Sequence, residues 1–595
     1  MKHKILCTAA LVLSLLLSFG TERAGAQDPR KASGHWSGTL NLSGGYGQVL
    51  LRDDDGEPID TLRHYLGEAA FRLAYQSPKF SFSTEVKGKG LHKDTETDRF
   101  ASNGVDKGDF KARLTQLSQP SGGLRTDLQW RPSERNQYTF FAGYQFENDD
   151  SFATIFNGSI HEDLEHSSFS LMGEQRVHRK HTILSGWRSS HGFRDGRRSL
   201  HLTLDGTAKL HDKSSLWMDV GPDGLRTYIL MPNSDNLDQS AALFLRDNRP
   251  FGIRELQLES GVRLRSTYTE DTNQAYTQYG EDDWRDSTRL NERFDYLALW
   301  AEPFFKADYR KERFRLQAEG ALQWYGMQLT DERHFRDLAW EKPVPVGSLR
   351  GEWTPAAPHK LALSTSFQVR QPTYLQRCWY DRQDADAQRL FRGNPDLQPV
   401  RIHALDFAYT FRLGRFSTIS QSNFTYRKRE VEQTYVEEII DGRKYKVFSW
   451  LNTAYGESFT QSLSVGWNGK VLTGLLKTSY RQTLQLSGKD DRESRSHHWE
   501  LSGELACTPG KGWTLATKGY YCGDVQTLYS LLEGYCTLNA RIEKAFRPIT
   551  VFVEGRDLLD QPVTMSYYSS DGTDNWTEES NLNRRLILLG VNWRF

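Results

Sequence analysis

Apolar and polar residues alternate one for one along most of this 595-residue chain. Residues 314–324, 405–413 and 499–507 each place apolar side chains mainly at every second position, with mostly polar residues between them. A period of two is typical of β-strands whose two faces meet different surroundings. No segment after residue 26 shows a convincing long helical period. The sequence therefore predicts an all-β protein.

Composition and charge exclude several other classes. Basic and acidic residues number 76 each, the aromatic residues reach 12%, and the mean hydropathy is −0.66. The many aromatic residues and the low net charge argue against disorder. The low hydropathy argues against helical membrane spans, and the balanced charge argues against nucleic acid as a partner.

The N-terminus carries a targeting signal. Lys2 and Lys4 precede an apolar run, and Ala24-Gly25-Ala26 forms a cleavage site of small residues. We expect residues 1–26 to be a cleaved signal peptide, residues 27–35 a short periplasmic leader, and residues 36–595 one barrel domain.

Short turns alternate with long polar stretches along the rest of the chain. The short turns are predicted near residues 77–78, 132–133, 179–180, 211–212, 248–249, 311–312, 356–357, 414, 468–469, 509–510 and 547–548. Short periplasmic turns and long extracellular loops are the layout of a transmembrane antiparallel β-barrel in the outer membrane of a Gram-negative bacterium. Soluble sandwiches would need linkers, and propellers would need a fixed repeat. Eleven short turns predict 24 strands.

The last strand fits this architecture. Residues 585–595 place Ile587, Leu589, Val591, Trp593 and Phe595 on one face, as expected for a lipid-facing strand that ends in an aromatic girdle. Trp593 and Phe595 are the predicted C-terminal signal for the barrel-assembly machinery.

Four motifs in the C-terminal part resemble the barrel of TonB-dependent receptors. They are the strand segment 367–375, Gly393-Asn-Pro-Asp-Leu-Gln-Pro399, Tyr455-Gly456-Glu457 and Arg556-Asp-Leu-Leu-Asp560. The resemblance implies 22 strands and a role in transport. The N-terminal part resembles neither a TonB box nor a plug domain, so we expect both to be missing, with a plug within residues 27–130 as the alternative.

A barrel of this size needs something to close its lumen. Charged side chains on the predicted inner face are Arg263, Arg315, Glu319, Asp406, Arg412, Glu500, Glu504, Arg541 and Glu543. The outer loop 370–402 mixes aromatic and cationic residues, and its candidate ligand-binding residues are Arg377, Trp379, Tyr380, Arg382 and Arg392. We expect long loops to fold inward or a partner to fill the lumen; the alternative is that the charges line an open, solvated pore.

The sequence predicts no catalytic residue, cofactor or metal site. His161 and His166 are five residues apart in a predicted loop, whereas a zinc motif of this type needs a spacing of four on a helix. Cys522 and Cys536 flank one outer loop, so the sequence allows either a disulfide between them or free thiols.

We therefore expect a non-enzymatic outer-membrane barrel that acts in transport or channel formation. The alternative is an accessory barrel that scaffolds a surface complex. Expected partners are outer-membrane lipid and the assembly machinery, with a surface lipoprotein as a further candidate.

Overall fold

Almost every described residue lies in a β-strand, as the alternation predicts. The computed structural model describes residues 35–52, 58–102, 107–161, 168–221, 224–279, 285–286, 292–331, 335–377, 381–383, 389–440, 443–486, 493–527, 530–559, 561, 563–568, 575–580 and 585–594. The predicted signal peptide and leader fall before His35, so apart from the leader's last residue they lie outside the described residues. No helix in these ranges is long and apolar enough to cross a membrane.

The strands are numbered here in chain order. Those of the wall are β1 (His35–Arg52), β2 (Pro58–Gln76), β3 (Phe80–Ser102), β4 (Lys107–Ser133), β5 (Asn136–His161), β6 (Ser168–Gly192), β7 (Arg198–Gly221), β8 (Gly224–Asp247), β9 (Leu256–Tyr279), β11 (Glu292–Lys311), β12 (Phe314–Asp331), β14 (Val344–Ala356), β15 (His359–Arg370), β18 (Val400–Leu413), β19 (Phe416–Lys428), β22 (Tyr455–Asn468), β23 (Leu472–Leu486), β24 (Glu493–Gly510), β25 (Trp513–Cys522), β28 (Tyr535–Ala545), β29 (Ile549–Arg556) and β32 (Leu586–Arg594).

Shorter elements lie in the connections. They are β10 (Arg285–Asp286), β13 (Phe335–Trp340), β16 (Asp381–Gln383), β17 (Arg389–Arg392), β20 (Val431–Ile440), β21 (Arg443–Asn452), β26 (Val525–Gln526), β27 (Ser530–Leu532), β30 (Val563–Tyr568), β31 (Asn575–Ser580), the one-turn helix α1 (Tyr374–Arg377) and a 3-10 turn at Pro250–Gly252.

Consecutive wall strands pair antiparallel, and the last strand returns to the first. β32 pairs with β29 on one side and with β1 on the other, from Thr39 opposite Arg594 to Tyr46 opposite Ile587. This closure makes a barrel of 22 strands and leaves no free edge. The described residues between 35 and 133 form β1 to β4 of this wall and the short turn between β2 and β3.

The difference between 24 predicted and 22 observed strands arises at two adjacent strands. Turns were predicted at residues 179–180 and 211–212, but these positions lie inside β6 and β7. The single turn between them is at residues 193–197, where Asp195 accepts hydrogen bonds from the backbone amides of Arg197 and Arg198. One turn replaces two, which removes one hairpin from the count. The other nine predicted turns coincide with strand ends.

The two faces of the wall differ as the alternation predicts. Along β32, Ile587 and Leu589 are exposed, whereas Leu586 and Leu588 are buried. Leu405 and Phe407 of β18 are likewise exposed on the outer face. An outward apolar band of this kind is what a lipid bilayer requires.

Seven neighbouring strands are much longer than a membrane crossing needs. β3 to β9 contain 23 to 27 residues each, whereas about 9–11 residues cross the hydrocarbon core. Much of the polar sequence at residues 88–122, 147–165 and 219–240 is therefore extended hairpin. Charged residues interrupt the apolar–polar alternation in these ranges. Such residues suit strands that are surrounded by water on both faces.

Candidate functional site

The inner wall is held by ion pairs that cross strand boundaries. Arg263 of β9 donates to Glu302 of β11 at 2.6 Å and to Glu319 of β12 at 3.0 Å. Its guanidinium also stacks on the ring of Phe304, with 4.0 Å to the ring centroid. Three adjacent strands are thus joined by one arginine, and charge-assisted bonds of this kind are the stronger class of hydrogen bond.

The same arrangement recurs near the closing strand. Arg541 of β28 contacts Glu543 and Glu554 at 3.1 Å each, and its guanidinium lies 3.8 Å from the centroid of Phe552. The ring of Phe552 lies over Gly590 of β32, where a side chain would overlap it. The inner wall is therefore packed across β28, β29 and β32 as well as paired by the backbone.

The remaining predicted inner-face charges are also placed on the inner wall. Arg315 donates to Asp308 at 2.8 Å, Asp406 accepts from Asn423 at 2.5 Å, and Glu504 pairs with Lys518 at 2.8 Å. Arg412 is exposed beside the turn between β18 and β19. The lumen contains a cavity of about 780 Å³ near the closing strand, with charged lining residues Glu68, Lys87, Lys89, Glu147, Lys180, Lys209, Arg541, Glu554 and Arg556.

One outer loop reaches the inner wall. Arg377 ends helix α1 in the connection between β15 and β18, and it is 2% exposed. Its Nη1 lies 2.6 Å from Sδ of Met327, an inner-face residue of β12, and its Nη2 donates to the carbonyl oxygen of Leu397 at 3.2 Å. Tyr296 and Tyr325, joined by a 2.7 Å hydroxyl contact, belong to the same buried cluster as Met327.

Two successive outer loops join in one sheet, called here the outer loop sheet. It consists of β16, β17, β21 and β20 in that order, and β17 pairs in parallel with β21. Phe391 packs against Tyr435 and Phe448 in its core. Arg392 donates twice to the Glu438 carboxylate, at 2.9 and 3.1 Å. The two loops therefore form one unit.

The receptor-like motif at residues 393–399 fastens this unit together. The backbone amide of Asn394 donates to the carbonyl of Gln376, and its side-chain amide donates to the carbonyl of Trp450. Its side-chain oxygen accepts from the amide of Asp396 at 3.0 Å. One asparagine thus links α1, the motif and β21.

A partly buried carboxyl group lies in strand β20 of the outer loop sheet. Glu432 of β20 accepts from Gln485 at 2.6 Å. Burial, with the nearby negative charge of Glu430, raises the pKa of Glu432 to about 7. Glu430 itself lies near Arg427 at 3.6 Å. This part of the loop unit therefore changes charge near neutral pH.

The predicted loop ligands have different fates. Arg377 is packed inside the protein and Arg392 is paired, so neither guanidinium is presented to solvent as a free ligand-binding group. Trp379 and Tyr380 lie outside the described residues, as does the side chain of Arg382. A ligand-binding role of Trp379, Tyr380 and Arg382 thus remains a prediction.

Of the two alternatives for Cys522 and Cys536, a disulfide or free thiols, the structure shows free thiols. Tyr521 pairs with Cys536 and Cys522 pairs with Tyr535, so the two cysteine side chains point to opposite faces of the wall. Instead, Cys522 lies on the inner face with His498 and Glu500. Sequence reasoning missed this cluster because a bulge between Cys507 and Gly510 shifts the register that brings residue 522 opposite residue 500.

Residues 248–593 match the sequence model of the outer membrane protein beta-barrel family. The chain belongs to this family. No curated protein matches its sequence. As a member of the outer membrane protein beta-barrel family with this closed barrel, the protein is located in the outer membrane of a Gram-negative bacterium.

Outer-membrane receptors and transporters are among the solved structures similar to it. The ferripyoverdine receptor of Pseudomonas aeruginosa aligns with a TM-score of 0.60 and 11% identity over 95% of this chain and 72% of its own. The FrpB iron transporter of Neisseria meningitidis aligns with a TM-score of 0.55 and 9% identity over 94% of this chain and 81% of its own. The copper transporter OprC aligns with a TM-score of 0.56 and 11% identity over 94% of this chain and 80% of its own. At these identities the likeness shows the shared fold alone, and it confirms the expected resemblance to a receptor barrel.

Proposed function

We propose that this barrel is a gated outer-membrane transporter whose outer loops close its lumen. The observation that carries the proposal is Arg377, an outer-loop residue buried against Met327 on the inner wall. A buried guanidinium needs hydrogen-bond acceptors to offset the loss of water. A loop that inserts such a group into the mouth is packed there as part of the folded protein.

The attachment of this loop links the wall to the outer loop sheet. Arg377 contacts Met327 of the wall, and Asn394 ties the same loop to the outer loop sheet. Because β20 and β21 belong to the same sheet, displacement of one loop moves both. A solute that disturbs this unit would therefore open the mouth at several positions together.

The cargo is not named by the fold. Relatives of the same shape include an iron transporter and a copper transporter, so one barrel architecture serves different cargoes. The inner wall described above is polar and charged, which favours a hydrophilic solute. From the sequence we retain the expectation that this lumen is closed by loops or a partner and that no TonB box is present.

Conductance in planar bilayers tests the proposal. The intact protein should conduct little, because its outer loops occupy the mouth. Deletion of residues 376–394 and the double variant R377A/N394A should both raise single-channel conductance. I439A is the matched control, because Ile439 is 79% exposed on the same sheet and should leave conductance unchanged.

Two results would contradict gating by these loops. High, steady conductance of the intact protein would indicate a simple pore. Low conductance of a correctly folded deletion variant would show that the lumen is closed by another segment or by a partner. Heat-modifiable migration on gels confirms that each variant retains its barrel.

A scaffold for a surface complex is the second candidate, and the long wall favours it. At about 3.3 Å per residue, β3 to β9 run roughly 75–90 Å, far beyond the membrane. Such a wall offers a large surface to a lipoprotein or other outer partner. This function predicts that the barrel migrates as a larger complex in native gels of outer-membrane extracts and that hairpin truncation releases the partner while conductance stays low.

A further inference from the structure

Three side chains with metal-binding atoms converge on the inner wall at β24 and β25. His498 and Glu500 are two residues apart on one face of β24, and Glu500 pairs directly with Cys522 of β25. One nitrogen, one oxygen and one sulfur ligand atom lie within 4.8 Å of one another. The Nε2 of His498 lies 3.2 Å from the Glu500 carboxylate.

These distances suit a single ion with small shifts of the side chains. A tetrahedral zinc ion lies about 2.0–2.3 Å from nitrogen, oxygen and sulfur ligands, which sets the ligand atoms about 3.3–3.6 Å apart. The His498–Glu500 separation already falls near that range. The thiol of Cys522 needs to approach by about 1 Å, a movement within reach of one χ1 adjustment.

The surroundings of the three residues support them as ligands. His498 is 4% exposed and Cys522 is 5% exposed, so both are held by the wall. The hydroxyl of Ser479 donates to the second oxygen of Glu500 at 3.1 Å, which orients that carboxylate. The side chain of Glu500 keeps access to the lumen, so a fourth position remains open to water or a solute.

Aromatic residues on the outer face locate the cluster relative to the bilayer. Trp499, Tyr480 and Tyr521 occupy the outer face at the same level, and the rings of Tyr480 and Trp499 are 4.7 Å apart. Aromatic residues of this kind mark the interface of the bilayer with water. Because β24 begins at the extracellular end and runs down to the short turn at Lys511, this interface is the outer one. The three ligands therefore line the entrance to the lumen.

We propose that His498, Glu500 and Cys522 bind one divalent transition-metal ion of the zinc class at the entrance to the lumen. Imidazole, carboxylate and thiolate together suit zinc better than calcium or magnesium, which prefer oxygen ligands alone. On binding, the Cys522 thiol loses its proton to solvent and no redox change is needed. The inference goes beyond transport, since the site exists whether or not the outer loops act as a gate.

Protection of the Cys522 thiol is the direct test. In the full-length protein with Cys378, Cys507 and Cys536 replaced by serine, Cys522 is the only thiol left after signal-peptide removal. Zinc sulfate should slow its alkylation by a small maleimide at least about tenfold, and EDTA should restore the rate. Metal analysis of the otherwise unaltered protein should give one zinc per chain, retained in C536S and lost in C522S.

Matched variants separate binding from general effects on the barrel. H498A and E500Q should shift the zinc concentration for half protection upward by about 10–100-fold, and S479A by about tenfold. H497A is the control, because His497 lies one residue away on the opposite face, where it contacts the Tyr480 hydroxyl at 2.6 Å. It should bind zinc as before.

The proposal is overturned if zinc leaves the alkylation rate of folded protein unchanged. It is also overturned if H498A is protected as well as the parent, because protection would then come from the thiol alone. A second variant keeps Cys536 as its only thiol, with Cys378, Cys507 and Cys522 replaced by serine. Equal protection of Cys536 by zinc in this variant would show unspecific binding and would also overturn the proposal. Heat-modifiable migration of each variant excludes misfolding as the cause of any loss.

Discussion

Replacement of Phe407 by arginine tests which face of the wall meets the lipid. Phe407 is exposed on the outer face of β18, and its strand ends at Leu413 before the turn at Gly414. Six residues at about 3.4 Å each, with the strand tilted by about 40°, place Phe407 roughly 16 Å above that end. In an apolar band about 25 Å tall, this position is close to the midplane.

The expected cost follows from that depth. Arginine on the lipid face costs about 2–4 kcal/mol at the midplane and about 0–1 kcal/mol near the interfaces. F407R should therefore lower the free energy of unfolding by about 2–4 kcal/mol. L316R should cost about 1 kcal/mol or less, because Leu316 lies only two residues from the start of β12.

The matched control is A408R, one residue along the same strand. Ala408 faces the lumen, on the same face as Asp406, so an arginine there can meet water and a carboxylate. Its cost should stay below about 1 kcal/mol. Denaturant titration of the protein folded in lipid vesicles, followed by the heat-modifiable gel band, gives the three values. Equal costs for F407R and A408R would refute the assignment of the two faces.

Three further changes test the assembly signal, the packing of the closing strand β32 and the outer loop sheet. Deletion of Phe595, or F595D, should sharply lower the amount of assembled barrel in outer-membrane fractions, because the terminal aromatic is the predicted signal for the assembly machinery; unchanged heat-modifiable protein would count against this role. G590V should cost about 1–3 kcal/mol by overpacking, because the added side chain overlaps the Phe552 ring, and the double variant G590V/F552A should recover part of that loss in the same titration. E432Q should remove a pH dependence of stability. The pKa of Glu432 in the folded protein is about 7, above its ordinary value of 4.5, so the wild type loses stability as pH rises from about 4.5 to 7. Above pH 7 this carboxyl group causes no further loss. Hydrogen exchange of β20 and β21 should show this slope in the wild type only.

Much of the fold could be predicted because each wall strand meets lipid on one face. Where that contrast holds, as in β18 and β32, every second residue is apolar and the strand is visible in the sequence. The contrast disappears where a strand rises into water. In β6 and β7, Arg179-Lys180 and His211-Asp212 read as turns, although the backbone continues through them.

The candidate site was less accessible from sequence because it depends on register. Cys522 and Cys536 flank a loop in sequence, and only the alternation of faces shows that they cannot meet. His498 and Glu500 are visible as a pair, yet the bulge before Gly510 decides which residue of β25 joins them. The contact between Arg377 and Met327 spans 50 residues, and no local pattern marks it.

The two kinds of arginine in the lumen should behave differently when removed. Arg263 engages two carboxylates that join three strands, so a solute could bind it only by breaking both ion pairs. Arg377 instead meets a thioether, a backbone carbonyl and the side-chain amide oxygen of Gln371, which are all neutral acceptors. We therefore expect R263A to lower stability by about 1–2 kcal/mol with little change in conductance, because it weakens the wall and leaves the mouth closed.

R377A should show the opposite balance, with raised conductance and a barrel of nearly unchanged stability, because Arg377 holds only a loop. Bilayer conductance and vesicle denaturation on the same two purified variants measure both quantities. If R263A opens the channel while R377A leaves it shut, the ion pairs of the wall control access and the outer loops do not. Recognition of the cargo would then have to be sought deep in the lumen and not among the outer loops at the mouth.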